Sequence, residues 1–457
     1  MTFPFPQSII QALDDQILGD PSIGPSLFAH LLVLQRELGL LHGRRPTCPF
    51  LRPHILSRAR YETVAEAAQT IGLAFERVAE QALKDDSLLS ELGLTPAEEK
   101  MARIDPGYSR LCVSSRLDAY LTESDFQFLE YNAESPAGIG DQMQLEKVLF
   151  SVPPVQEFID AHEHWLPQPH RLLLASLLDA YREWGGVQER PQIAIVDWDG
   201  VATASEFEVL KIYFESQGYA TIIVDPCALA FDGQVLSGGN FRIDIVYKRV
   251  VIHEFLERCD EHHPLARAYA ERKVCIANSF RTKLAHKKAG FAILSDPRYA
   301  HLFTAQQLAV IRRHIPWTRR VHQGRTTFAG AERDLREVLS TERVHLVLKP
   351  NDDYGGAGVV LGWETSPEDW EAAIAVALAR PYVVQQRVPL ERTLFPMYGE
   401  MFGDQAAAVP MIVDFNPFLF HNKVEGALVR LSASSLSNVS SGGGQTALLV
   451  LEELGQR

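Results

Sequence analysis

Residues 347–362, VLKPNDDYGGAGVVLG, place a lysine at the end of an apolar run, then an acid, then three closely spaced glycines. Glycine lets backbone N–H donors approach a ligand, lysine brings a point positive charge, and aspartate brings a hard oxygen. A triphosphate and its magnesium ion need that combination. It makes Lys349, Asp353 and the loop from Tyr354 through Gly355, Gly356 and Gly358 candidate nucleotide and metal residues. A surface hairpin accounts for the glycines, but gives no reason for Lys349 or Asp353.

Residues 129–138, LEYNAESPAG, supply the other half of such a site. Side chains alternate along a strand, so Glu130 and Asn132 share one face while Leu129 and Tyr131 share the other. Magnesium is held by one or two carboxylates together with substrate phosphates, so Glu130, Asn132 and Asp353 form a candidate metal set. A solvated strand face also tolerates E-x-N; it is the pairing with the glycine stretch that argues for ligands.

Positioning these groups falls to a chain of 457 residues, long enough for two or three packed lobes. Residues 1–104 read as a helical region, in which Val64, Ala67, Ala68, Ile71, Ala74, Val78 and Ala82 recur on one helical face. Residues 105–185 hold two strand-like runs around Arg116 and Glu130, a Pro-Gly break and a helical linker. Residues 186–280 alternate short apolar strands (QIAIVDW, ATIIVD, RIDIVYK, KVCIAN) with helical patterns, the signature of a Rossmann-like lobe with a parallel sheet. Residues 281–457 begin helical and turn to strands. The expected class is α/β with α+β lobes.

The formal charge of −14 argues against a nucleic-acid partner, which needs clustered Lys and Arg. Five cysteines without a C-x-x-C pair indicate neither a disulfide framework nor a zinc cluster. No basic-then-apolar leader and no long apolar span is present, so the expectation is a cytoplasmic protein without a membrane partner. The G-x-G at Gly356 and Gly358 leads into a strand, not the helix that a dinucleotide fingerprint requires, and no G-x-S-x-G elbow occurs. The HEHW and DEHH histidines lack a third ligand at useful spacing.

Taken together, VLKPNDDYGGAG, FLEYNAESPAG, YVVQQRV and VDFNPFLF resemble the ATP-grasp ligases, and their order resembles the circularly permuted branch. In most of that superfamily the acid-x-Asn strand follows the Lys-Pro strand, whereas here Glu130 precedes Lys349. That branch includes eukaryotic-type glutathione synthetase and proteins similar to glutathionylspermidine synthase. The resemblance spans about 105–450 and implies an ATP-grasp core in permuted order, with ATP and Mg2+ as cofactors.

It further implies that Lys349 and either Lys287 or Lys288 reach the phosphates. Gln385, Gln386 and Val388 match the adenine hinge, with Gln386 where the family usually has an acid, and Asp414 matches an acid that holds ribose or metal. Arg116 matches the arginine that grips the acceptor carboxylate or acyl phosphate; an Arg116–Asp118 pair is the alternative. Ser135 and Gly138 fall in the substrate loop, Arg249 ends a strand of the parallel lobe, and Asn438 to Gly444, with Gly442 and Gly443, either wraps the acyl phosphate or is a linker. The implied activity is an ATP-dependent carboxylate–amine ligase acting through an acyl phosphate, with a small-molecule or peptide carboxylate and an amine as partners. The alternatives are a phosphotransferase on the same fold and a non-catalytic ATP-binding subunit.

Overall fold

In the computed structural model, which describes residues 7–353, 355–399, 405–434 and 443–452, strands far apart in sequence build one antiparallel sheet. Its order is Gly444–Thr446, Lys423–Ser432, Ala407–Phe420, Ser114–Leu121, Phe126–Asn132, and Arg392–Met397 also pairs with the long strand Ala407–Phe420. Leu117, Ala119, Tyr131, Val413, Phe415 and Val429 are buried in one core with the helix Arg58–Ala82. Ser57 caps that helix by accepting from the Arg60 amide. All seven residues of the predicted stripe are buried.

Small residues on that helix allow a close approach: a Cβ at Gly72 would lie 2.0 Å from Asn422 Oδ1. Phe75 reaches across to Tyr131, ring centroids 4.7 Å apart, and so packs directly behind the Glu130 strand. Burying Val64, Ile71, Phe75 and Val78 contributes about 1.5–3 kcal/mol each.

A second antiparallel sheet has the order Thr318–Arg320, Tyr382–Gln386, Leu346–Pro350, Val360–Leu361 and carries Lys349. A third is parallel throughout, in the order Cys275–Ala277, Ile245–Lys248, Ile193–Val196, Thr221–Val224, as the alternating pattern predicts. Asn278 follows directly on this sheet and fastens it to the first: its Oδ1 accepts from the Val113 and Ser114 amides, and its Nδ2 donates to the carbonyls of Ser114, Ala133 and Glu134.

The first hundred residues do not stand apart from the rest. Strand His54–Ser57 pairs in parallel with Leu448–Leu451, and helix Gln7–Gly19 shares the core of the central sheet. The architecture is mixed α/β. Among the described residues no helix is long and apolar enough to cross a membrane. Tyr354, Asn438 and Gly442 lie outside the described residues.

Candidate functional site

A cavity of about 650 Å³ opens between the three sheets, and most of the chemistry-bearing residues read from the sequence line it. Strict alternation would have put Glu130 and Asn132 on the face of Phe126 and Phe128, which are buried in the core. A register shift prevents this: Asp118 pairs with Glu130 and Ala119 with Phe128, leaving Leu129 as an extra residue. The bulge turns Glu130 and Asn132 into the cavity. It also corrects the expectation for Leu129, which lines the cavity beside Glu130, whereas Tyr131 points into the core.

On the neighbouring strands the alternation holds. Arg116, Asp118 and Tyr120 line the cavity, as do Asp414 and Arg430, while Leu117, Ala119, Val413 and Leu431 fill the core. Asp118, 6% exposed, is the hub of this wall. Its Oδ1 accepts from Arg116 Nε at 2.7 Å, its Oδ2 from Arg116 Nη2 at 2.9 Å and Arg430 Nη2 at 2.8 Å, and Asn132 Nδ2 donates to Oδ1 at 3.1 Å. The Arg116–Asp118 pair is therefore a buried, two-pronged one, and Arg116 still borders the cavity. Arg430 Nε also donates to Asp414 at 2.7 Å. Burial pushes the Asp414 carboxyl up to about 6, against the pull of Arg430.

Across the cavity stand the lysines. Burial lowers the Lys349 ammonium to about 8, with Glu130 opposing the fall; its Nζ donates to Gln385 Oε1 at 2.7 Å and to the Leu129 carbonyl at 3.3 Å. Lys288 Nζ stands 3.0 Å from Glu130 Oε1 and donates to the Asp353 carbonyl at 2.5 Å. Burial works against charge on Glu130, yet Lys288 and Lys349 hold its carboxyl below the ordinary range.

The two adjacent lysines thus separate. The short helix Lys283–His286 ends just before them, and Lys287 is extended, with φ −61° and ψ 128°. Lys288 lines the cavity; Lys287 instead meets Glu98 Oε2 at 2.8 Å and Asp352 Oδ2 at 2.6 Å and is absent from the lining.

The loop after Lys349 needs its glycines, since Gly355, Gly356 and Gly358 have φ of 65°, 79° and 67°. Gly355, Gly356 and Asp353 line the cavity, whereas Gly358 packs against Pro350. The hinge residues do not reach it: Gln385 is buried between Lys349 and Thr318, Gln386 is exposed and Val388 is buried.

Ser135 is in the lining; Gly138 is not, and its amide donates to Glu206 Oε1 at 2.9 Å. Arg249, at the carboxyl end of a parallel strand, lines the cavity and donates to the Pro136 carbonyl at 2.5 Å, which ties it to the Ser135 loop. Gly443 lies off the cavity, its carbonyl 3.4 Å from Arg45 Nη2.

Sequence reasoning missed a buried charge network beneath the glycine loop. Lys283 Nζ lies 2.8 Å from Glu134 Oε1 and 2.7 Å from Asp352 Oδ1, so Asp352 anchors the root of the loop. Among the described residues, Glu134, His286 and Asp352 alone form a group of three His, Cys, Asp or Glu with ligand atoms within 4.8 Å of one another. The Lys283 ammonium already lies against both carboxylates of that group, which weakens it as a cation site. Glu130, Asn132 and Asp353 instead offer hard oxygens on opposite walls of one cavity, a donor set that suits magnesium completed by phosphate oxygens. Arg430, alone among apolar neighbours in GALVRLS, was the available signal for the Asp118 hub.

No protein-family profile matches the chain. Over 338 residues, 69% of the chain, it is 24% identical to a protein of Frankia casuarinae named "Putative glutamate--cysteine ligase 2-2". The match covers 36% of that curated relative, so the chain spans about a third of its length. Among solved structures, the apo form of a glutathione synthetase like-effector from Globodera pallida aligns with TM-score 0.60 over 95% of this chain and 98% of that one, at 13% identity. That likeness is one of fold.

Proposed function

We propose that this chain is an ATP-dependent carboxylate–amine ligase that forms an amide through an acyl phosphate and releases ADP and phosphate. One observation carries the reading: a single cavity sets Lys288, Lys349 and a loop of left-handed glycines across from Glu130 and Asn132, with the Arg116 guanidinium beside them. The names of the curated relative and of the structural neighbour point to the same class of chemistry, and the order of Glu130 before Lys349 fits the permuted ATP-grasp branch.

In this reading the γ-phosphoryl group passes to a substrate carboxylate. Lys349 and Lys288 stabilise the charge that develops on its oxygens, and the Gly355–Gly356 backbone closes over the phosphates and excludes water. Arg116, held by Asp118, orients the acceptor carboxylate with its planar fork. Glu130, Asn132 and Asp353 would hold magnesium, which when bound neutralises phosphate charge. Asp414 is the proposed ribose-side or metal-side acid. The amine arrives at the parallel-sheet end, where Asp197 and Arg249 line the cavity.

The test pairs binding with product analysis. Mg-ATP at a hundredfold excess over Kd stabilises by about 2.7 kcal/mol and raises the melting temperature; NAD does not. With L-glutamate and cysteine, γ-glutamylcysteine and glycine, or glutathione and spermidine as pairs, the ligase reading predicts ADP, phosphate and an amide from at least one. ADP without amide from every pair speaks for a phosphotransferase, and no turnover at all speaks for a binding subunit.

A further inference from the structure

An amine at neutral pH is an ammonium ion and cannot attack an acyl phosphate until it loses a proton. Most acids around the cavity are committed elsewhere: Asp118 to two arginines, Glu130 to Lys288, Asp414 to Arg430, Glu134 to Lys283. His286 is differently placed. It lines the cavity, is 7% exposed, and sits two residues before Lys288 on the turn that carries the phosphate-side lysine. Its Nδ1 is buried without a hydrogen-bond partner, so the nitrogen able to exchange a proton is Nε2. That atom stands 3.9 Å from Asp352 Oδ1 and 4.0 Å from Glu134 Oε1.

Resting on the ligase reading above, we propose that His286 is the general base that deprotonates the attacking amine, with Glu134 and Asp352 stabilising the imidazolium it becomes. The ammonium gives one proton to Nε2; the free amine adds to the acyl carbon, the carbon–oxygen bond to phosphate breaks with its electron pair on phosphate, and the second N–H proton leaves with that phosphate. His286 then returns its proton to solvent.

Burial keeps the imidazole below its ordinary range, which favours the neutral form. The charges facing it are Glu134 and Asp352, which favour the protonated form, and Lys283 and Lys288, which oppose it. His253 Nδ1 lies 4.0 Å from the same Asp352 oxygen. Both carboxylates lie on the Nε2 side beyond hydrogen-bond distance, so they act on the imidazolium through charge alone. His42 also lines the cavity, but it belongs to the short strand Leu41–His42, which pairs with Arg45–Pro46, and among the described residues no carboxylate pairs with it.

Hydroxylamine separates this step from phosphoryl transfer, because it is already a free base at pH 7 and traps the acyl phosphate without a protein base. The three carboxylates named above are each offered hydroxylamine or the matching amine, with the parent, His286→Gln and His42→Gln. The expected result is a fall of about 100-fold in the ratio of amide to hydroxamate for His286→Gln alone, within the span of general-base catalysis. The amide rate of that variant should also climb tenfold per pH unit between pH 6.5 and 8, where the parent is flat, because only free amine from solution then reacts.

An unchanged ratio, a parallel loss of both products, or the same ratio collapse in His42→Gln overturns the assignment of the base while leaving the ligase reading intact. A parent that makes no hydroxamate with any of the carboxylates overturns the ligase reading first. Nitrogen NMR of histidine-labelled protein gives a readout independent of turnover: His286 should be neutral at pH 7, and an imidazolium at that pH overturns the proposal.

Discussion

Asp118→Asn perturbs the charge hub of the cavity with little change in shape. In the parent, one carboxylate receives the two-pronged Arg116 fork, Arg430 and the Asn132 amide, all at 2.7–3.1 Å and with Asp118 only 6% exposed. Removing one member of a buried pair costs about 3–5 kcal/mol, and asparagine, which keeps one acceptor oxygen, belongs at the lower end, about 3 kcal/mol. Unfolding entropy of about 2.1 cal/mol/K per residue over 457 residues is roughly 1 kcal/mol/K, so the melting temperature should fall by about 3 °C.

The sign of the pH dependence follows from the depressed Asp118 carboxyl. Burial alone would raise it, but Arg116 and Arg430 bring it below its ordinary 3.8. Its stabilisation is therefore complete at pH 7 and is lost as the pH falls through the depressed value. Calorimetry at pH 7 and pH 3, combined with a double-mutant cycle against Arg430→Met, tests both points. A coupling of about 1–3 kcal/mol is expected at pH 7. A melting temperature within about 1 °C of the parent, or strictly additive losses, would refute the hub.

Further outcomes follow from neighbouring groups. Because burial lowers Lys349 to about 8, kcat/KM for ATP should fall tenfold per pH unit above that value as the ammonium is lost; a profile flat to pH 9.5 would show that its charge is not used. Glu130→Gln should lower turnover about 10²–10³-fold with the fold intact by circular dichroism, and equal turnover would remove it from the site. Alanine at Gly355 meets open space and costs only the left-handed backbone, about 1–2 kcal/mol, whereas at Gly358 its Cβ also lies 2.7 Å from Pro350 Cγ. Gly358→Ala should therefore melt lower than Gly355→Ala, and the reverse order would contradict the loop geometry.

Placements that depend on one strand or one loop were legible: Lys349, Gly355, Gly356 and Arg116 with its i+2 partner all border one cavity. What was not legible depends on distant pairing. The bulge at Leu129 is imposed by the register against Asp118 and Ala119, and no residue in LEYN announces it. Lys287 and Lys288 differ only because a helix stops at His286, sending one toward Glu98 and the other toward Glu130. The Asp118–Arg430 contact joins strands separated by some 300 positions, and the network of Lys283, Glu134 and Asp352 draws on three separate segments. Gln385 turns inward to hold Lys349 and so does not line the cavity, a contact that joins two strands of one sheet.

If a carboxylate oxygen becomes bonded to phosphorus, it leaves with the released phosphate, and isotope transfer follows that bond. With 18O in the carboxylate of whichever of L-glutamate, γ-glutamylcysteine or glutathione supports turnover, one labelled oxygen is expected in the released inorganic phosphate and none in the nucleotide, with Lys349→Ala abolishing the transfer. Label appearing in AMP would mean an acyl adenylate, and unlabelled phosphate alongside amide would mean that no acyl phosphate forms; either result would contradict the mechanism derived from this cavity.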